Sequence, residues 1–188
     1  QFKMLSTPGL YSGYVAVAGY PIIVGVKHIS SIVAEIANYH TMNFGMMHEI
    51  GHVFNLGQTN WNWNDEMFAN FRMHYALEMN NLGVYVRGAY DTTNKVYTGR
   101  EILNMYKQDY DKTLPTSKLN DNAIHYLLAR LAGDEFIGWE PFRKTFDYMR
   151  KYGTSGGTNI NTKYTAAPTM IPTMVLITFI FNNNCSPI

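Results

Sequence analysis

His48-Glu49-Ile50-Gly51-His52 is the densest group of chemistry-bearing residues in the sequence. On a helix, residues at i and i+4 share a face, so both imidazoles can reach one cation. Glu49, one position along, lies close enough to work on a water held by that cation. Two ligands are not yet a site, because a catalytic zinc takes three protein ligands and keeps a fourth position open. A third histidine six residues after His52 would complete one known pattern, but Gln58 stands there and Asn55 replaces the glycine that pattern needs. The alternative is a glutamate on the next helix, and Glu66 falls in that helix's first turn. Asn70 shares its face, and an amide there can accept a hydrogen bond from the remote N–H of a ligating histidine. The expected site is therefore one zinc ion on His48, His52 and Glu66, with Asn70 behind a histidine. Asp65 and Glu78 compete for the third place. Asp65 is expected to point elsewhere and Glu78 lies about three turns further along, so both read as solvated helix charges.

The chemistry such a site performs is peptide hydrolysis. Zinc lowers the pKa of a bound water toward about 7 and polarises a carbonyl. Glu49 takes the proton as general base and passes it to the leaving amine. The oxyanion needs a further donor. His74, Tyr75, Tyr85, Tyr90, His125 and Tyr126 are candidates among which the sequence does not choose.

The elements that must position these groups are mostly helices. Residues 11–26 are β-branched and aromatic and predict one or two short strands with a turn at Gly19 to Pro21. A helix follows from His28 to Tyr39, with Ile29, Ile32, Val33 and Ile36 on one side. A second begins after Thr41 or Asn43 and runs through Phe54, closed by Asn55-Leu56-Gly57. Asn64 caps a third, from Asp65 to about Leu82, with Phe68, Phe71 and Tyr75 facing inward. Thr98-Gly-Arg-Glu101 is a capping box. Asp121 to Leu131 and Glu140 to Tyr152 are further helices, and a last runs from about Thr173 to Phe181. Gly153 to Thr162 reads as a loop.

Composition limits the alternatives. At 188 residues and 21.5 kDa the chain is long enough for one domain, residues 1–188, with a proper core. A net charge of +1 with 15% charged residues excludes a nucleic-acid-coating protein, and 46% hydrophobic residues exclude disorder. The single cysteine, Cys185, excludes an intrachain disulfide and a thiolate-built zinc site, leaving metal to histidine and carboxylate. The apolar stretch from Pro168 to Phe181 is too short for a bilayer and holds two prolines. Sparse charge and abundant neutral polar and aromatic residues suit an extracellular surface. His28 and His40 have no partner pattern, and the methionines at 42, 46, 47, 67 and 73 read as core filler.

Ala18-Gly-Tyr-Pro-Ile22, His48-Glu-Ile-Gly-His52 and Glu66-x-x-x-Asn70 after a tryptophan-bearing loop together resemble the enhancin-like, mucin-degrading metallopeptidases, peptidase family M-sixty. Gly138-Trp-Glu-Pro-Phe142 and the closing Asn184-Cys-Ser-Pro-Ile188 are similar to later segments of that family. The resemblance runs from about residue 14 to the last residue. It implies an α+β, mainly helical zincin of the gluzincin type, with a small β element at the N-terminus beneath which the metal helix packs. Against the family the chain looks N-terminally short, lacking part of a β subdomain. The implied activity is that of a secreted or cell-surface zinc endopeptidase acting on mucin-like, O-glycosylated proteins, with His48, His52 and Glu66 as ligands and Glu49 as base. The competing expectation is a non-catalytic glycoprotein-binding module or fragment of the same fold. The expected partner is a glycoprotein substrate, and the expected state a monomer. Trp61 and Trp63, among asparagines between the ligands, are candidates for stacking on sugar rings. Residues 15–20 are a candidate cleft edge to which a substrate backbone adds as a strand.

Overall fold

The computed structural model describes residues 3–10, 14–19, 21–54, 65–88, 91–114, 119–133 and 136–152. The expected 173–181 helix, the 153–162 loop, Cys185, Tyr90, Trp61, Trp63 and the caps at Asn55 and Asn64 lie outside them. Among the described residues the order is β1 (Met4–Thr7), β2 (Ala16–Val17), β3 (Ile22–Gly25), α1 (Val26–Tyr39), α2 (Phe44–Val53), α3 (Asp65–Met79), β4 (Gly83–Gly88), β5 (Asp91–Thr98), α4 (Gly99–Thr113), α5 (Asp121–Ala132) and α6 (Glu140–Tyr152). The class is α+β and mainly helical. The chain divides into two compact units, residues 1–55 with 65–105 and residues 56–64 with 106–188.

The first unit opens on a three-stranded sheet of order β1-β3-β2, in which β1 runs parallel and β2 antiparallel to β3. Ile22 and Val24, two apart on β3, point to one face and are 1% exposed. They form a core with Ala16, Ile32 of α1 and Met46 of α2, against which Ile29, Met42, Ile50 and Val53 pack. Burying Met46, Ile50 and Val53 on the sheet turns the other faces of α2, with His48 and His52, away from it. The side of α1 differs from expectation. Val33 and Ile36 are exposed, and the inward positions are Ile32 and Glu35.

Glu35 is inward because it holds the next helix. The Asn43 side chain accepts from the Met46 N–H at 2.9 Å, capping α2, and donates through Nδ2 to Glu35 Oε2 at 2.7 Å. Asn43→Ala removes a cap worth about 1 kcal/mol and withdraws a donor from a buried carboxylate, at roughly 1–3 kcal/mol more. A loss of about 2–4 kcal/mol is expected in denaturant unfolding. Asn43→Asp keeps the cap oxygen but sets a carboxylate against Glu35, so it should be at least as damaging at neutral pH. Full stability in Asn43→Asp would contradict this account.

β4 and β5 form an antiparallel hairpin with Val84 opposite Tyr97, which the sequence reading missed when it confined β structure to the start of the chain. Val84, Tyr85 and Val86 are all buried, so both faces of β4 are covered and no polar alternation marks the strand. The hairpin also anchors the start of α2. Tyr85 N–H donates to Met42 O at 3.0 Å, and Thr41 Oγ1 donates to Gly83 O at 2.5 Å. α3 is buried on several sides, at Met67, Phe68, Ala69, Phe71, Met73, His74 and Leu77. The predicted capping box at Thr98 is formed, with Thr98 N–H donating to Glu101 Oε2 at 2.9 Å and Glu101 N–H to Thr98 Oγ1 at 3.3 Å.

In the second unit, Asn120 caps α5 through Ala123 N–H at 2.9 Å. Tyr106 packs on His125 with centroids 4.4 Å apart, and Tyr110 on Tyr126 at 5.2 Å. Trp139 and Phe142 are buried.

Candidate metal centre

α2 and α3 cross in unusually close contact. A Cβ placed on Gly51 would lie 2.8 Å from Ala69 Cα and 2.9 Å from its carbonyl carbon, and closer still to the carbonyl oxygen. Ala69 is fully buried at the same crossing. Small residues at both points let the backbones approach, and the side chains next to them and one turn before them on each helix then meet. His48 and His52 come from α2; Glu66 and Asn70 come from α3.

Their geometry is specific. His48 Nε2 and His52 Nε2 face each other at 3.0 Å. Glu66 closes the group, with Oε2 at 3.0 Å from His48 Nε2 and Oε1 at 3.5 Å from His52 Nε2. The far nitrogens are engaged elsewhere: His48 Nδ1 lies 2.8 Å from Asn70 Oδ1, and His52 Nδ1 lies 2.7 Å from Asp65 Oδ2. An ionised carboxylate and an amide oxygen accept and cannot donate, so each Nδ1 carries the hydrogen. In the neutral imidazoles both Nε2 atoms then present lone pairs to one another and to a carboxylate. Such a convergence of donors is what a cation requires, and two histidines with one carboxylate suit zinc. His48, His52 and Glu66 are the group able to hold a metal ion among the described residues.

Glu49 sits beside this group. Burial pushes its carboxyl above the ordinary value, opposed by His48, His52 and a hydrogen bond from the Ala18 N–H. The cleft is about 490 Å³, lined by Tyr14, Ala16 to Gly19, Glu49, His52, Val53, Asp65 and Glu66. One wall is β2, an edge strand of the three-stranded sheet among the described residues, and the other is the metal group.

The sequence of residues 9–171 matches the family described as Peptidase M60, enhancin and enhancin-like. The chain belongs to this family. Membership makes it a metallopeptidase of a zinc-dependent family, and a protein substrate follows. No match is found among curated proteins or solved structures. Among the described residues, no helix is long and apolar enough to cross a membrane.

For this M60 member the structure brings His48, Glu49, His52, Glu66 and Asn70 together, and it corrects the reading of Asp65 and Glu78 as solvated charges, Glu78 being largely buried between His74 and Arg100. Asp65 does not point elsewhere: its carboxylate holds the far side of His52. The N-terminus of α3 turns Asp65 and Glu66, adjacent in sequence, onto two sides of the same imidazole. Arg72 supports them, donating to Gly51 O at 3.0 Å and lying 3.9 Å from Asp65 Oδ1. Burial presses its guanidinium below the ordinary value while Asp65 pulls it back.

The oxyanion candidates are reduced. His74 is fully buried beside Glu78, at 3.1 Å, and Tyr85 is buried and stacked on Tyr39, with centroids 4.2 Å apart. His125 and Tyr126 pack within the second unit. Tyr14, which the sequence reading did not single out, is the phenol among the described residues that line the cleft. Its signal was position alone, at the start of the segment leading into the cleft edge.

Proposed function

We propose that the chain is the catalytic domain, residues 1–188, of a secreted, monomeric zinc endopeptidase of the gluzincin type, acting on mucin-like O-glycosylated proteins. The observation that carries this reading is the convergence of His48 Nε2, His52 Nε2 and the Glu66 carboxylate, with Glu49 beside them and a cleft alongside. His48, His52 and Glu66 would hold the ion. Zinc bound there supplies Lewis-acid polarisation of the scissile carbonyl and acidifies a water.

The protein's own residues do the rest. Glu49, kept in place by the Ala18 N–H, accepts the proton of the attacking water and delivers it to the leaving amine. Among the described residues β2 is an edge strand, so an extended substrate can add as a strand across the cleft. Tyr14, exposed on the same wall, is placed to meet the substrate backbone or the developing oxyanion. Trp61 and Trp63 lie in sequence between the ligand helices and are assigned to the sugar rings of a glycopeptide.

Metal removal tests the reading. Dialysis against a chelator should abolish cleavage of a mucin-derived glycopeptide, and zinc added back should restore it. Cleavage that persists in metal-free protein would refute a zinc peptidase. Zinc binding without cleavage of glycosylated or bare peptide would favour a non-catalytic glycoprotein-binding module.

A further inference from the structure

We propose that Asp65, braced by Arg72, is the positioning residue for His52, and that it makes the two histidines unequal as ligands. This rests on the metal reading above. His48 and His52 differ little in identity, spacing or burial, yet they lean on different partners. Behind His48 stands the neutral amide of Asn70 at 2.8 Å; behind His52 stands a carboxylate at 2.7 Å. A neutral acceptor fixes tautomer and ring angle. A carboxylate does the same and also raises the basicity of the opposite nitrogen, because the negative charge polarises the imidazole toward Nε2.

A plain surface role for Asp65, as a first-turn acid favourable to the helix N-terminus, would leave its carboxylate in solvent. Its geometry is different. The side chain is 25% exposed, one oxygen is committed to His52 and the other faces Arg72. Arg72 lies two turns along the same helix, 18% exposed, with its guanidinium 5.4 Å from the Phe68 ring centre. From there Nη1 also donates to the carbonyl of Gly51, the residue before His52. Arg72 thus ties together the backbone that carries His52 and the carboxylate that aims it. The Arg72 bond to Gly51 O and the Asp65 contact with His52 both cross between α3 and α2, so the brace can act only at the helix spacing that Gly51 permits.

The test compares zinc affinity, measured by competition with a chromophoric chelator, and the visible spectrum of the cobalt-substituted protein in the parent, Asp65→Asn, Asp65→Leu, Arg72→Met and His52→Ala. Asp65→Leu should weaken zinc binding by roughly 10–100-fold with far-UV circular dichroism unchanged. Asp65→Asn keeps an oxygen for the Nδ1–H but drops the charge, so it should fall between parent and Asp65→Leu and shift the cobalt bands. Arg72→Met should show a smaller loss in the same direction. If Asp65→Leu does not fold, Asp65→Asn alone decides: parental affinity and an unshifted cobalt spectrum would overturn the proposal. If the parent binds zinc, His52→Ala loses it and the Asp65 variants match the parent, this proposal falls and the metal reading stands. A folded parent that binds no zinc overturns both.

Discussion

Glu49→Gln is expected to lower peptide hydrolysis by roughly 10²–10⁴-fold, the usual contribution of a general acid–base group, while zinc content stays at the parental level. Glutamine has the shape of glutamate, and its carbonyl oxygen can still accept from the Ala18 N–H that bonds Glu49. Glu49 is not among the converging ligand atoms of His48, His52 and Glu66, so the ion should remain. What is lost is the site that takes the proton of the attacking water. kcat/KM on a mucin-derived glycopeptide, with zinc measured on the same samples, separates the roles: His48→Ala should lose metal and activity together, Glu49→Gln activity alone. Parental turnover in Glu49→Gln would remove this residue from the mechanism.

Gly51→Ala is expected to destabilise the domain by about 2 kcal/mol and to weaken zinc binding. Two effects oppose each other. Alanine is a better helix former than glycine by about 1 kcal/mol, and Gly51 lies inside α2. Against this, the new methyl would sit 2.8 Å and 2.9 Å from backbone atoms of Ala69, which cannot rotate away as a flexible side chain would. Overpacking of this kind costs about 1–3 kcal/mol when neighbours can adjust. Here the only relief is to move whole helices apart, so the clash should win. The separation carries His48 and His52 away from Glu66 and breaks the Arg72 bond to Gly51 O. Melting temperature should fall by about 4–8 °C, at 2–4 °C per kcal/mol for a chain of this size, and zinc affinity should fall with it. A stabilised Gly51→Ala protein would show that the helices are not held as close as the geometry indicates.

Much of the site was legible because its chemistry is local. His48, Glu49 and His52 sit within one helix turn and a fraction, where helical periodicity alone decides which side chains share a face. Glu66 and Asn70 could be read from the same rule on the next helix, once a third ligand was required. The cap at Thr98 was readable for the same reason, and that of α2 was narrowed to Thr41 or Asn43, of which the structure uses Asn43. β4 was missed because tertiary neighbours cover both its faces, which erases the alternation a strand is recognised by. Val33 and Ile36 were placed inside although the sheet packs against a different stripe of α1.

The sequence by itself determined which groups could bind a cation, because ligand identity and helical spacing are covalent facts. It also carried enough motif to indicate the family. The tertiary structure alone decided which histidine Asn70 supports and that Asp65 stands behind the other. Gly51 reads as a helix-weakening residue until Ala69 is found against it, and Asp65 reads as a solvated charge until α3 is set at its angle to α2. Both depend on the distance between two helices, a quantity that no periodicity along one chain segment contains.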